Sequence, residues 1–184
     1  MSTHCQLRFV EKDSDRVVQI YRHSDGYPKS VLTKLEHLQE LLHATGTQRD
    51  ASYTAAQFLL VDKLWRIERL LRLQDKPFDA YPASVMGLLD VDAWEETSTT
   101  PSHLQGHGVE DPSCGIRGNE NYLYIITLPA SSSTEKLSEW RIKFSEYGGF
   151  PQWNDEETKQ AFDVADWSFD GTLGDAVMRV DSDE

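Results

Sequence analysis

The stretch YRHSDGYP, residues 21–28, lies where an alternating sequence pattern changes into a helical one. Before it, residues 5–11 and 16–22 alternate apolar and polar side chains, and a polar turn cluster at 12–15 separates them. This pattern is typical of a β-hairpin with one face on a core. After it, Pro28 suits the first turn of a helix, since its missing N–H needs no partner there. The stretch therefore marks the change from sheet to helix.

Two helices are predicted after this turn. The first has apolar residues at helical spacing and ends at Gly46, a residue type common at helix C-termini. The second covers residues 52–73, with Ser52 as its N-cap, and is the most apolar segment of the chain. It is expected to be the central core helix, with Leu64 and Trp65 on its buried face.

The second half of the chain begins with a segment rich in proline and glycine, residues 74–121, in which no periodic pattern persists. YLYIITL at 122–128 and the alternation around 140–145 predict two further strands, and 155–166 is predicted to form a short amphipathic helix. This order of elements predicts an α+β fold, with a mainly antiparallel sheet built from two hairpins and helices packed on one face.

The length of 184 residues, with 39% hydrophobic residues, is sufficient for one domain with a real core. We predict a single α+β domain over residues 1–170, with a long loop at about 75–121. An acidic C-terminal tail is predicted at 171–184, where aspartates are frequent.

Charge and cysteine content narrow the classes of partner and location. The net charge of −13 disfavours nucleic acid as a partner, because phosphate backbones would be repelled. The N-terminus lacks the apolar region of a signal peptide, and no apolar run approaches the length of a membrane span. We therefore expect a cytoplasmic protein without membrane contact, in which Cys5 and Cys114 are reduced thiols.

The same stretch at 21–28 contains the candidate catalytic pair, His23 and Asp25. A histidine beside a carboxylate can act as a general base. The alternative interpretation, which we favour, is a structural turn in which Gly26 adopts a positive φ. Aromatic and cationic side chains supply the candidate binding residues, which are Tyr21, Arg22, Tyr27, Arg117 and Tyr122.

A metal site is a weaker hypothesis. His103 and His107 have the spacing H-x3-H, and Cys114 follows seven residues later. Zinc sites need four ligands, or three with a water, so two histidines and one cysteine in a loop are more simply incidental. No nucleotide-binding or cofactor-binding motif is present, and we predict no cofactor.

Three segments resemble a family of small prokaryotic and phage-associated proteins with a Y-R-H-x-D-G-Y-P motif. The segments are IYRHSDGYP (20–28), TAAQFLL (54–60) and GIRGNENYLYIITL (115–128). The resemblance implies no established activity, but it implies that the residues of the motif belong to one signature. It also implies an acidic residue before the late strand, which Glu120 matches. Where relatives carry a glycine-rich extension after the proline, this chain has Lys29 and Ser30.

Two classes of function follow. The favoured one is a non-enzymatic binding or regulatory domain, whose partner is a protein or a small ligand. The alternative is a hydrolase or nuclease-like enzyme that uses His23 and Asp25, with or without a metal ion. The first is favoured because enzymes usually carry a second recognisable cluster of polar groups, which this sequence lacks. The oligomeric state stays open.

Overall fold

The computed structural model of the protein describes residues 3–73, 106–116, 120–130, 139–146 and 167–182. The described strands are β1 (Cys5–Glu11), β2 (Val17–Arg22), β3 (His107–Glu110), β4 (Tyr122–Leu128), β5 (Arg141–Glu146) and β6 (Phe169–Thr172). The described α-helices are α1 (Pro28–Thr45), α2 (Ala51–Leu73) and α3 (Leu173–Ser182), and a short 3-10 helix spans Pro112–Cys114.

The strands form one sheet in the order β3-β2-β1-β4-β5-β6. β1 pairs antiparallel with β2 and β4 with β5, as do both edge strands with their neighbours. The central pair, β1 and β4, is parallel. The fold is therefore α+β with a mixed sheet, and the predicted arrangement of two hairpins misses the parallel junction. A period of two identifies a strand and its buried face, but it does not encode the direction of the neighbouring strand.

Two regions that were predicted to be irregular contain regular structure. Within the loop predicted at about 75–121, His107–Glu110 forms edge strand β3 beside β2. The tail predicted at 171–184 contributes to β6 and supplies α3, which buries Leu173 and Ala176 in the core. An acidic composition is compatible with a packed helix when its apolar residues recur every three or four positions. The helix predicted at 155–166 lies outside the described residues.

The core lies between the sheet and the described helices. β1 turns Cys5, Leu7 and Phe9 toward the helices, and all three side chains are fully buried. Phe9 packs on Phe58 of α2, with ring centroids 5.6 Å apart. In the β1–β2 pair, Cys5 lies opposite Arg22 and Leu7 lies opposite Ile20. Because directly opposed residues point to the same face of a sheet, the Arg22 side chain also points toward the helices. A cation therefore faces the core.

Helix α1 begins and ends where the sequence predicts. Pro28 occupies its first turn, and Gly46 takes a left-handed conformation with φ of 63° at its C-terminus. The Gly46 N–H donates to the carbonyls of His43 and Leu42, which the last helical turn leaves without partners.

Helix α2 begins one residue before the prediction, and its cap differs. The Asp50 carboxylate accepts the Tyr53 backbone N–H at 2.9 Å and the Ser52 hydroxyl at 2.7 Å, so Asp50 is the cap and Ser52 is not.

The predicted core position of Trp65 is also wrong, since 37% of this residue is exposed. Leu64 is half-buried. A helix that is apolar on most of its circumference does not reveal which face is buried.

None of the described helices is long and apolar enough to cross a membrane.

The turn at 23–27 packs against the N-terminal segment. Asp25, and not Gly26 as predicted, has the positive φ, at 57°. Gly26 is required for a different reason: a Cβ there would lie 2.8 Å from Cys5 Cβ and 2.9 Å from the Cys5 backbone nitrogen. The Gly26 N–H donates to the Thr3 carbonyl at 2.9 Å, and its carbonyl accepts the Tyr124 hydroxyl at 2.8 Å. Close backbone approach therefore selects glycine at this position.

We expect Gly26→Ala to lower the free energy of unfolding by about 3 kcal/mol, because the added methyl group meets backbone atoms that cannot move independently. Gly46→Ala is the control: its φ is also left-handed for an alanine, but no atom lies within 4 Å of the new Cβ. It should cost about 1 kcal/mol. Urea unfolding measures both, and equal losses would contradict the packing explanation.

Candidate functional site

A buried ion cluster connects four elements around Asp62 of α2. One carboxylate oxygen, Oδ1, lies 2.8 Å from Nη2 of Arg22 and 2.5 Å from Nζ of Lys34. The other, Oδ2, lies 2.7 Å from Nε2 of His107. The side chains of Asp62 and Arg22 are fully buried, and those of Lys34 and His107 are 8% and 5% exposed. Groups from β2, α1 and β3 thus share one carboxylate of α2.

The local structure explains why these residues meet. Asp62 follows Phe58 by four positions on the buried stripe of α2, so its carboxylate points into the core. Arg22 faces the helices through the register of β2, and His107 lies directly opposite Arg22 in the β2–β3 pair. Lys34 belongs to the face of α1 that also buries Leu35 and Leu38.

Charge pairing determines the protonation states in the cluster. Burial by itself would raise the pKa of Asp62, but the hydrogen bond from His107 and the charges of Arg22 and Lys34 outweigh burial and hold this pKa well below its usual range. Burial lowers the pKa of His107, and its contact with Asp62 only partly offsets that effect. The cluster at neutral pH therefore contains a carboxylate, two cations and a neutral imidazole.

Two further buried groups lie near the cluster. Burial raises the pKa of the Cys5 thiol to about 12, and the charge of Arg22 opposes this increase only in part. The Glu120 carboxylate, which is fully buried, also raises this pKa. Cys5 is therefore a protonated core side chain rather than a reactive thiolate.

Arg22 also organises the turn before α1. Its Nη1 donates to the carbonyl oxygen of Asp25, and its Nη2 lies 3.3 Å from the Ser30 hydroxyl oxygen. The same oxygen lies 3.2 Å from Nζ of Lys34. The guanidinium thus ties the turn and the first helical turn of α1 to Asp62.

An open cleft of about 290 Å³ lies beside this turn. We call it the α1 cleft, and its lining residues are Asp25, Tyr27, Lys29, Ser30, Thr33, Lys34 and Trp65. Tyr27 is 43% exposed and Trp65 is 37% exposed, so both aromatic rings are accessible. Lys34 and Ser30 belong to the cleft and also contact the buried cluster, which connects an accessible surface to the core.

The candidate catalytic residues lie in different surroundings. His23 is exposed, and its Nδ1 is 2.8 Å from the Tyr21 hydroxyl. Its ring stacks on that of His4, with centroids 4.4 Å apart. Asp25 lines the α1 cleft instead.

The candidate binding residues have mixed positions. Tyr27 lines the α1 cleft, whereas Arg22 is fully buried and cannot contact a ligand directly. Tyr21 belongs to the His4–His23 group, and Tyr122 stacks on Tyr124 with centroids 6.4 Å apart. Arg117 lies outside the described residues.

The candidate metal ligands are not brought together as a site in the part of the chain that the structure describes. His107 contacts Asp62, and Cys114 is an exposed free thiol on the 3-10 helix. His103 lies outside the described residues. Across the described segments, no group of three His, Cys, Asp or Glu side chains is arranged to hold a metal ion.

Sequence reasoning missed Asp62, Lys34 and Trp65, which define the cluster and one wall of the cleft. One signal was present: Asp62 is a carboxylate within the most apolar helix of the chain, and a buried carboxylate requires a partner.

No protein-family model, curated protein or solved structure matches this chain. The functional argument therefore depends on the geometry of the site.

We expect Asp62→Asn to lower the free energy of unfolding by about 3–5 kcal/mol, because it leaves buried cations without their counter-charge. Asp170→Asn is the matched control. Asp170 is 45% exposed, with Arg141 and Lys143 both at 3.1 Å, and its loss should cost about 1 kcal/mol or less. Urea unfolding at neutral pH measures both variants. A small loss for Asp62→Asn would mean that the cluster contributes little to stability.

A pH dependence follows from His107. Because its folded-state pKa lies below the ordinary 6.5, the stability contributed by the neutral ring is present above pH 6.5 and is lost as the pH falls below that value. We expect the stability of His107→Gln to decrease less than that of the wild type between neutral pH and about pH 5. His37→Gln, on the exposed face of α1, should follow the wild-type curve. Identical curves for all three proteins would contradict a neutral buried His107.

Proposed function

We propose that the protein is a non-enzymatic binding domain whose α1 cleft takes a small anionic ligand. The observation that carries this proposal is the Ser30 hydroxyl, whose oxygen accepts from Arg22 and Lys34 at a cleft that also contains two lysines. The partner is thus a small molecule with a carboxylate or phosphate group.

The orientation of Ser30 follows from its two partners. Arg22 and Lys34 are cations that can only donate, so the Ser30 oxygen accepts from both. A hydroxyl has two acceptor lone pairs and one proton, and the proton is then left to donate to a third group. Among the described residues, the Ser30 hydroxyl donates no hydrogen bond to an acceptor. A ligand oxygen in the cleft would supply that acceptor.

The surrounding charges also favour an anion. Lys29 and Lys34 line the cleft, and Nζ of Lys29 lies 3.9 Å from Oδ1 of Asp181 in α3. The cleft adjoins the first turn of α1, whose N-cap residue, Tyr27, makes no side-chain capping bond. Helix N-termini carry a partial positive charge and donor N–H groups, so they add to the attraction for an anion.

The aromatic rings of Tyr27 and Trp65 provide apolar walls. Ligand sites combine such walls with a few polar groups that fix the orientation of the ligand. Tyrosine and tryptophan rings offer a large contact area and lose little conformational freedom on binding. A ligand with a compact anionic group and a short apolar body would use both parts of the cleft.

The cluster chemistry argues against nucleophilic catalysis by Ser30. A serine beside a lysine can form a catalytic dyad when the lysine is a neutral base. Here the Asp62 carboxylate, 2.5 Å away, keeps Lys34 as an ammonium group, which donates to Ser30 and cannot remove its proton. The same charge suits Lys34 to anion binding.

The test is a titration of the protein with inorganic phosphate, benzoate, pentanoate and γ-aminobutyrate, followed by the indole N–H signal of Trp65 in NMR spectra. Trp65→Phe assigns the signal. We expect at least one of these anions to shift it in a saturable manner. No saturable shift with any of the four would overturn the proposal.

Lys29→Gln should weaken binding of the anion about tenfold, because it removes a charge-assisted contact. Lys12→Gln, in the exposed turn between β1 and β2, changes the net charge equally and should leave the affinity unchanged. If both variants weaken binding to the same extent, the effect is one of overall charge and the cleft is not the site.

A second candidate function, hydrolysis centred on His23, is favoured by one contact, which does not involve Asp25. The Tyr21 hydroxyl lies 2.8 Å from Nδ1 of His23 and can orient the exposed ring. Activity toward p-nitrophenyl esters and bis-p-nitrophenyl phosphate that is lost in His23→Ala would support it. Equal rates in the wild type and His23→Ala would exclude it.

A further inference from the structure

The α1 cleft and the buried His107 ring are connected through one carboxylate. Oδ1 of Asp62 lies 2.5 Å from Nζ of Lys34, a residue that also lines the cleft. Oδ2 of Asp62 lies 2.7 Å from Nε2 of His107 in β3, whose side chain is 5% exposed. Lys34 and Asp62 thus connect a ligand in the cleft with a histidine, the side chain that ordinarily titrates near neutral pH.

The contact with Asp62 determines which nitrogen of His107 can take up a proton. An ionised carboxylate only accepts hydrogen bonds, so Nε2 carries the hydrogen of the neutral ring. Nδ1 is then the basic atom, and it is buried without a hydrogen-bond partner among the described residues. A proton at Nδ1 would place a full charge on a buried ring, and burial accordingly lowers the pKa of His107.

The elements packed against the ring contribute charges of both signs. On α2, Asp62 favours the protonated ring and Lys63 disfavours it, and Arg22 of β2 also disfavours it. Lys34 of α1 lies on the other oxygen of Asp62. With His107 neutral, the two cations that contact Asp62 exceed this carboxylate by one charge. A proton on His107 would increase the excess further.

An anion in the cleft would change this balance. It would offset the excess cationic charge, so that a proton on His107 would only restore the net charge that the ligand-free cluster already has. Of the four cluster residues, only His107 has a proton to gain near neutral pH. Arg22 and Lys34 are already protonated, and the pKa of Asp62 lies well below its usual range.

We propose that anion binding in the α1 cleft is linked to protonation of His107, so that the anion binds more tightly as the pH falls. The inference rests on the proposed function, because it concerns the regulation of the same cleft. Binding involves no covalent step. The linkage is reciprocal: a bound anion favours the protonated ring, and the protonated ring favours the bound anion by the same factor.

The direct test is an NMR titration of the His107 ring in the wild-type protein between about pH 5 and about pH 8. It is carried out without ligand and with a saturating concentration of the anion that shifts the Trp65 indole signal most, chosen from phosphate, benzoate, pentanoate and γ-aminobutyrate. His107→Gln assigns the ring signals. We expect the bound anion to raise the pKa of His107 by about half a pH unit, which corresponds to about threefold tighter binding at low pH.

His43 is the control histidine within the same titration. It lies in the last turn of α1, outside the cleft, and its Nε2 is 3.2 Å from Oε1 of Gln48. The signals of its ring should titrate at the same pH with and without the anion. An equal rise for His43 and His107 would mean that the anion acts on the whole chain, and it would overturn the linkage.

The affinity of the same anion for the wild type and for His107→Gln provides a second measurement. The ratio of the wild-type affinity to the variant affinity should increase about threefold from about pH 7.5 to about pH 5.5. The ratio removes the titration of the anion itself. It also removes any effect of His37, whose ring lies 6.0 Å from that of Trp65 and is present in both proteins. A constant ratio would contradict the linkage.

The outcomes separate the linkage from the proposed function. The linkage is overturned, and the anion site stands, if the Trp65 signal shifts but His107 titrates at the same pH in both states. The same conclusion holds if His107 stays neutral down to about pH 5 in both states, or if its pKa falls on binding. If none of the four anions shifts the Trp65 signal, both proposals are wrong.

Discussion

The structure depends on the Asp62 carboxylate in the core. Removing a carboxylate from water costs several kcal/mol, and only close partners of opposite charge recover that energy. Arg22 and Lys34 are those partners, the neutral His107 ring adds a hydrogen bond, and each of these three residues comes from a different element. Because β2, α1, α2 and β3 must all be in place before Asp62 is satisfied, the interaction makes their packing specific. An apolar residue at this position would pack with fewer geometric requirements.

The same interaction shapes the α1 cleft. Arg22 holds the Asp25 carbonyl with one nitrogen and contacts Asp62 and Ser30 with another. Lys34 also connects the core with the cleft, since it pairs with Asp62 and lines the cleft. Sites supported by packed and hydrogen-bonded groups keep their geometry without help from a ligand. Ser30, Lys34 and the backbone of Asp25 are therefore held at the cleft by contacts with the core.

The motif at 21–28 combines several physical roles in adjacent residues. Alternation along β2 sends Arg22 into the core, while the neighbouring Tyr21 and His23 contact each other on the exposed side. Gly26 permits close contact with Cys5, and Pro28 begins α1. Asp25 and Tyr27 remain at the surface and line the cleft. The structural turn and part of the wall of the α1 cleft thus belong to one segment.

The sequence alone determined the elements that depend on local pattern. Alternation located β1, β2 and β5, the aromatic and β-branched run at 122–128 located β4, and the proline and glycine signals placed both ends of α1. Only the tertiary structure decided the parallel β1–β4 junction, the contact of Arg22 with Asp62 across 40 residues, and the partly exposed position of Trp65. Local propensities reflect neighbours along the chain, whereas strand direction, ion pairing and the cleft depend on how distant elements pack.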